Sequence, residues 1–161
     1  KFINIDVIPS RHIHYVRRID NLSIFKDCSV DLIYASHCLE HFPFSAVPII
    51  LKEWYRVIKP KGILRLSVPD FDLLLNIYNE TGHNIQNIIQ PLMGGQVSKY
   101  DFHYSVFNFK SIETELYAVG FTEVRRWDTT VTDIRMNDWA SRQLEINGKG
   151  FPVSLNVEAI K

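Results

Sequence analysis

The sequence is poor in cysteine, in net charge and in long apolar runs, and each shortage argues against a class of protein. Two cysteines, Cys28 and Cys38, are too few for a disulfide framework and lack metal-site spacing. Their scarcity is typical of a reducing compartment, so we expect a cytoplasmic protein. The 18 basic and 18 acidic residues cancel, which gives no support for binding nucleic acid or membranes through bulk charge. No apolar run approaches the roughly 20 residues that span a bilayer.

What is present is an ordinary globular composition, 46% hydrophobic and 22% charged. A chain of 161 residues suits one domain, which we place over residues 1–161. Strand and helix patterns alternate along it. The alternation, with an antiparallel strand at the end, predicts an α/β fold whose sheet is covered by helices.

The central part of the chain shows this alternation best. The nearly continuous apolar segment 30–35 indicates a strand buried on both faces, as in parallel sheets. An apolar stripe predicts a helix over 46–58, with Ser45 as its cap and Pro48 in its first turn. The sequence KPKG at 59–62 then predicts a turn into a strand at 63–68.

The flanking segments continue the pattern. Asp70 is predicted to cap a helix over 71–80 that points Phe71, Leu74, Leu75 and Tyr78 inward. Ser111 is predicted to cap a helix that ends at Gly120 in the left-handed conformation. The other predicted strands cover 2–7, 14–19, 122–127 and 153–160, and the other predicted short helices cover 85–92 and 138–145.

Five segments, in this order, resemble class I S-adenosylmethionine-dependent methyltransferases, in particular a small bacterial group of predicted methyltransferases. They are NIDV, SVDLIYASHCLEHF, LKEWYRVIKPKGILRLSVPD, HYSVFNFKSIETELYAVGFTEVRRW and SLNVEAIK. The resemblance implies a Rossmann-like methyltransferase fold with a mostly parallel sheet and an antiparallel last strand. It also implies S-adenosylmethionine as cofactor, bound at the carboxyl ends of the parallel strands.

The sequence departs from this family in the position of its first glycine. The first of its seven glycines is Gly62, so the glycine-rich loop expected before the second family strand does not precede Phe2. The resemblance therefore implies that the first family strand is missing. We expect segment 2–7 to pair directly against segment 30–35, or a partner chain to fill the gap in the sheet, in which case the protein is a homodimer.

The resemblance assigns cofactor-binding roles to residues that follow the predicted strands. Asp6 would accept hydrogen bonds from the ribose hydroxyls, Asp20 from the adenine amino group, and Asn21 would donate to a ring nitrogen. Ser36 and His37 would line the methyl-donor site. The alternatives are a loop-capping role for Asp6 and an Asx turn at Asp20-Asn21. We expect Asp6, Asp20 and the Ser36–His37 pair to border one hollow.

Three histidines are candidate catalytic residues, because histidine is the side chain best able to accept a proton near neutral pH. His37 and His41 follow the central strand, with Glu40 between them, and a packing role for His41 is the alternative. His103 lies in a long loop, 94–108, that by resemblance covers the acceptor site. The sequence spacing of these histidines specifies no metal site, so none is predicted.

The resemblance predicts an enzyme that transfers the sulfonium methyl group to an O, N or C nucleophile. The residues specify no acceptor; by resemblance it is a small molecule such as a sugar or cell-envelope intermediate. One alternative is a shortened, cofactor-free remnant that acts as a binding or regulatory module. Another is a different Rossmann-like enzyme, such as a nucleotide-dependent sugar enzyme, which would also need a glycine-rich phosphate loop.

Overall fold

The computed structural model of the protein describes residues 2–129 and 138–161. Three strands come first, helices and strands are mixed up to residue 126, and a hairpin and a last strand follow. The strands are β1 (Ile5–Asp6), β2 (Tyr15–Val16), β3 (Val30–Ser36), β4 (Ile58–Pro69), β5 (Glu123–Arg126), β6 (Gln143–Ile146), β7 (Lys149–Pro152) and β8 (Ser154–Ile160). The α-helices are α1 (Val47–Val57), α2 (Phe71–Glu80), α3 (Ile89–Met93) and α4 (Phe109–Val119). Short 3-10 turns cover Leu39–His41, Phe44–Ala46 and Ile85–Asn87.

The main sheet has the strand order β3-β4-β8-β5. Strands β3 and β4 are parallel, whereas β8 runs antiparallel to both of its neighbours, β4 and β5. Strand β5 is therefore parallel to β3 and β4. The sheet is mainly parallel with an antiparallel last strand, which confirms the predicted fold class.

Strands β1 and β2 form a separate parallel pair, with Ile5 opposite Tyr15. The prediction that segment 2–7 pairs directly against β3 is wrong, because in the described part of the chain β3 pairs with β4 alone. The two pieces of sheet are held together through α1 instead: the Trp54 indole donates to the Ile19 carbonyl at 2.9 Å, and the Leu22 amide donates to Glu53.

Helix α1 buries the predicted apolar stripe against the main sheet. Pro48 lies in its first turn as predicted, but Ser45 does not cap it: the N-cap is Ala46, which makes no side-chain cap, and Ser45 lies in the preceding 3-10 turn. The KPKG segment is not a turn that precedes a strand. It forms a bulge inside β4, because Val30 pairs with Ile58 and Leu32 already pairs with Ile63. The buried residues of α1 are Val47, Ile50, Leu51, Trp54 and Val57.

Helix α2 begins at Asp70 as predicted, whose carboxylate accepts from the Asp72 amide at 3.1 Å. Its buried face differs from the prediction. Leu74 is buried together with Ile77, whereas Phe71 and Leu75 are 39% and 45% exposed. The face is rotated because α2 packs against the β7 hairpin strand, which the sequence did not predict.

Helix α4 begins two residues before the predicted Ser111 cap. Asn108 is the N-cap, and Ser111 completes a capping box with it, so each side chain accepts from the other's backbone amide. Gly120 ends the helix with φ of 112°. Its backbone has the left-handed conformation that was predicted.

The carboxyl-terminal region contains a hairpin where a helix was predicted over 138–145. Residues 143–146 form β6, and a tight turn at Asn147 and Gly148, both with positive φ, leads into β7. The irregular stretch predicted before residue 138 lies mostly outside the described residues. None of the helices in the described ranges is long and apolar enough to cross a membrane.

Candidate active site

The site begins at the turn that leaves β3. His37 follows the strand with φ of 47°, a left-handed conformation that a non-glycine residue adopts at a cost. Its amide donates to the Ser67 carbonyl of β4 at 2.8 Å, which holds the turn against the sheet. The 3-10 turn Leu39–His41 follows at once and places the Glu40 side chain in the interior, fully buried.

Hydrogen bonds hold the loop 94–106 against this turn. The amides of Tyr104 and Ser105 donate to the Glu40 carbonyl at 2.8 and 3.2 Å, and the Ser105 hydroxyl donates to the Phe42 carbonyl at 2.7 Å. Gly94 has φ of 81°, and a side chain there would collide with the Asp101 backbone. A glycine is therefore required where the loop returns on itself.

This fastening brings two histidines together that are 62 positions apart in sequence. The rings of His41 and His103 meet edge to face with centroids 4.8 Å apart. Nδ1 of His41 lies 3.1 Å from the Phe102 carbonyl, and Nδ1 of His103 lies 3.0 Å from the Pro91 carbonyl. A carbonyl can only accept, so both Nδ1 atoms carry hydrogen. In the neutral rings Nε2 is then the nitrogen with a free lone pair.

The third histidine has a different arrangement. The Ser154 hydroxyl donates to the Trp139 carbonyl at 2.9 Å, so its oxygen accepts from Nε2 of His37 at 2.8 Å. Nδ1 of His37 then points towards Glu40 and lies 3.1 Å from Oε1. His37 is thus held between a serine and a buried carboxylate.

Glu40 is the most unusual polar group of the site. Its side chain has no exposed surface, and within the described residues neither carboxylate oxygen accepts a well-aligned hydrogen bond. The 3.1 Å approach of His37 satisfies a distance but not the hydrogen-bond geometry. One ligand atom each from Glu40, His41 and His103 lie within 4.8 Å of one another. A buried carboxylate without partners is costly, so this arrangement calls for a proton or a cation.

A cavity of about 190 Å³ opens beside these residues. The three predicted catalytic histidines His37, His41 and His103 all line it, together with Glu40. The loop glycines Gly94 and Gly95, the hairpin and the end of β4 supply the rest of its wall. The other lining residues are Pro69, Gln90, Pro91, Asp101, Trp139, Arg142, Gln143, Leu144 and Val153.

The surroundings shift the pKa values of His103 and Cys38. Burial lowers the pKa of His103, an effect that the negative charge of Glu40 only partly opposes, so the ring favours its neutral form. Burial raises the pKa of Cys38, and the charges of Glu40 and Asp6 raise it further.

The predicted cofactor-binding residues lie outside this cavity, apart from His37. Asp6 is exposed and accepts from the Ile8 amide with Oδ1 at 2.8 Å. The Asp20 carboxylate pairs with Arg18 through contacts of 2.7 to 3.1 Å. The side-chain oxygen Oδ1 of Asn21 accepts from the Ser23 amide, which is the Asx turn expected as the alternative.

Ser36 ends β3 at the same edge of the sheet. Its hydroxyl is buried. The structure thus brings the catalytic candidates together, whereas the candidates for the adenosine part form a separate group nearer β1 and β2.

Sequence reasoning missed the residues that the turn before the hairpin contributes. Arg142 and Trp139 line the cavity, with the guanidinium 4.6 Å from the ring centre. They belong to a region for which a helix was predicted, so no pattern placed them near β3. The Asn147-Gly148 dipeptide predicts a turn into the last strand, but the strand before it was predicted as a helix.

Comparison with known proteins agrees with this architecture. Residues 8–66 match the family described as methyltransferase domain. A SAM-dependent methyltransferase from Archaeoglobus fulgidus superposes with a TM-score of 0.60 at 14% identity, over 99% of this chain and 75% of that one. The fold is that of a class I methyltransferase. The resemblance seen in the sequence is thereby confirmed.

Two further structures share this methyltransferase fold. The 1,6-didemethyltoxoflavin-N1-methyltransferase of Burkholderia thailandensis, solved with 1,6-didemethyltoxoflavin and S-adenosylhomocysteine, has a TM-score of 0.58 at 16% identity. A SAM-dependent methyltransferase from Thermotoga maritima, described as a possible histamine N-methyltransferase, has a TM-score of 0.55 at 19% identity. The matches cover 98% and 94% of this chain but 59% and 65% of those chains. No curated protein matches the sequence.

Proposed function

We propose that the protein is an S-adenosylmethionine-dependent methyltransferase that acts on a small-molecule acceptor. The observation that carries this proposal is the cavity beside β3 and β4, in a methyltransferase fold, with three histidines and a buried carboxylate in its wall. In open α/β sheets ligands bind at the carboxyl ends of the parallel strands, and this cavity lies at that edge.

The cofactor residues proposed are Asp6, Asp20, Asn21, Ser36 and His37. Asp6 accepts one hydrogen bond from Ile8, and the remaining lone pairs of its carboxylate can accept from both ribose hydroxyls. Asp20 keeps acceptor positions beside its Arg18 contacts, because a carboxylate has about four lone-pair sites. Ser36 offers a buried hydroxyl at the carboxyl end of β3. The methyl group would then face the histidine-lined cavity.

The proposed reaction is an in-line displacement. A lone pair on an O, N or C atom of the acceptor forms a bond to the methyl carbon as the carbon–sulfur bond breaks, and the bonding pair stays on sulfur. The products are the methylated acceptor and S-adenosylhomocysteine, and a proton is released when the nucleophile carried one. Positioning supplies most of the acceleration in such a step. His37, His41 and His103 are the residues proposed to handle the proton.

Two properties of the acceptor follow from the wall of the cavity. Arg142 and Asp101 supply charged groups, whereas Trp139 and Leu144 supply apolar surface. A polyhydroxylated acceptor such as a sugar or cell-envelope intermediate suits this mixture, because it presents both hydroxyl groups and apolar C–H faces. We propose that class, and a cytoplasmic location in keeping with the free thiols Cys28 and Cys38.

We also propose a homodimer formed through the free edge of β3. This strand has seven residues of mainly apolar sequence, and in the described chain it pairs on one side only. Edges of this kind associate unless they are covered. A second copy is the simplest cover.

Substitution of Asp6 tests the cofactor site directly. Because the carboxylate would accept from both ribose hydroxyls, Asp6→Asn should weaken S-adenosylmethionine binding by about tenfold, the loss of roughly one charge-assisted hydrogen bond. Isothermal titration calorimetry on the full chain measures it. Asp31→Asn is the matched control, since that carboxylate is 84% exposed and pairs with Lys59 at the far end of β3.

Two results would count against the proposal. Wild-type protein that takes up no cofactor would favour the shortened remnant that acts as a binding or regulatory module. Equal affinities of wild type and Asp6→Asn would remove Asp6 from the site.

A further inference from the structure

The cluster of Glu40, His41 and His103 has the composition of a metal site. One ligand atom from each lies within 4.8 Å of the others. Ligands bound to one ion at about 2.0–2.1 Å lie roughly 3–4 Å apart. A small movement of the three side chains towards one another would therefore let them bind one ion. The three residues come from the turn after β3 and from the loop fastened on it, two segments already joined by backbone hydrogen bonds.

The histidines are oriented as metal ligands are. Each donates its Nδ1 hydrogen to a backbone carbonyl, His41 to Phe102 and His103 to Pro91. Metal-binding histidines almost always make such a contact with the second ring nitrogen, because it fixes the tautomer and the ring plane. Nε2 of each neutral ring then keeps a free lone pair, which is the form that binds a metal.

The Glu40 carboxylate gives separate support for a bound cation. Its carboxylate is fully buried, and both of its oxygens lack a hydrogen-bond partner among the described residues. A buried carboxylate in this state calls for a proton or a cation, and the two imidazoles beside it supply the further ligands that a cation would need. His37, at 3.1 Å from Oε1, faces one oxygen, so the other remains available to an ion.

We propose that Glu40, His41 and His103 bind a divalent transition-metal ion at the wall of the cavity. Two imidazoles and one carboxylate favour ions such as zinc, iron, cobalt or manganese over magnesium and calcium, which prefer all-oxygen sites. Three protein ligands leave open positions, and these would face the cavity. His37 is a positioning residue that orients Glu40.

The open positions suggest what the ion does, and this part rests on the proposed function. An acceptor hydroxyl bound to the ion becomes more acidic. It gives its proton to water or to the His37–Glu40 pair, its oxygen bonds to the methyl carbon, and the electron pair of the broken carbon–sulfur bond stays on sulfur. The acceptor class narrows to alcohols or phenols, and His41 and His103 act as ligands instead of as free bases.

Binding of the metal alone tests the site without any acceptor. The full chain, freed of metal with a chelator, is titrated with Co²⁺ by visible absorption and with Zn²⁺ and Mg²⁺ by calorimetry. We expect one Co²⁺ or Zn²⁺ per chain, d–d bands that indicate mixed nitrogen and oxygen ligands, and far weaker binding of Mg²⁺. Glu40→Gln and His103→Asn should each weaken Co²⁺ binding by at least about tenfold, and His37→Asn by about tenfold as an outer contact.

Two controls separate the site from surface binding and from misfolding. His83→Asn and His12→Asn change exposed histidines elsewhere and should leave the affinity unchanged. Circular dichroism in the presence of chelator checks that each variant folds, and the conservative variant Glu40→Asp should keep part of the binding.

The proposal is overturned if wild-type protein binds neither Co²⁺ nor Zn²⁺. It is also overturned if folded Glu40→Gln and His103→Asn bind as tightly as wild type. Metal binding without any cofactor binding would uphold the metal site while the proposed function fails. Cofactor binding by a chain that takes up no metal would uphold the proposed function while the metal site fails.

Discussion

Glu158 shows how single residues hold the main sheet together. It lies in β8 opposite Arg65 of β4 and Arg125 of β5, so one buried carboxylate receives hydrogen bonds from both neighbouring strands. Its distance to Arg65 is 2.8 Å. Burial by itself would raise the pKa of Glu158, but the hydrogen bonds and charges of the two arginines lower it overall.

This shift leads to a pH-dependent prediction. A carboxyl group with a lowered pKa in the folded state stabilises the fold above its ordinary pKa of about 4.3, and that stabilisation is lost as the pH falls through the folded value. Glu158→Gln should lower the free energy of unfolding by about 1–3 kcal/mol at pH 7. The difference from wild type should shrink as the pH falls below about 4.

Urea denaturation at several pH values measures the effect. Glu80→Gln serves as control, because the Glu80–Lys149 pair is exposed on both sides and should contribute less than about 1 kcal/mol. A deficit of Glu158→Gln that stays constant between pH 7 and pH 3 would show that the carboxylate charge contributes nothing.

Some residues could be predicted from the sequence because their roles are local. Asp70 caps the helix that follows it, and Gly120 ends one in the left-handed conformation. Glu40 could not be predicted in the same way. Its burial depends on the backbone hydrogen bonds that Tyr104 and Ser105 make to it from more than 60 positions away, and no local pattern encodes such a contact.

The presence of a strand or helix was easier to predict than its first and last residues. Strand β3 and helix α1 have strong patterns and were found nearly in place. The β6–β7 hairpin was missed because the short run 138–146 mixes polar and apolar residues without a clear period, and its pairing decides its conformation. Strands β1 and β2 are only two residues long and pair with each other alone in the described chain.

The edge of β3 that is unpaired in the described chain can be tested for pairing with a second copy. If a second copy covers it, light scattering after size-exclusion chromatography should give twice the chain mass of 18.8 kDa. Leu32→Lys places a charge on the edge strand and should yield monomers, because lysine discourages edge pairing. Ile49→Lys is the matched control: Ile49 is 67% exposed on α1, so this variant should remain a dimer. A monomeric wild type at high concentration would contradict the dimer.

At the scale of the whole molecule, the strand order explains the division of the site. The pair β1–β2 carries Asp6 and leads to Asp20, whereas β3 and β4 carry the turn with His37 and Glu40. The sequence predicted both groups through the family resemblance. It could not predict that the two groups belong to separate pieces of sheet, because strand pairing depends on which neighbours are present.

A crystal structure with S-adenosylhomocysteine would locate the proposed cofactor site. We expect the ribose hydroxyls to bind Asp6, the adenine to lie by Asp20 and Asn21, and the sulfur to face the cavity beside Ser36 and His37. A ligand bound far from the carboxyl ends of β1 and β3, or crystals that take up none, would contradict this expectation.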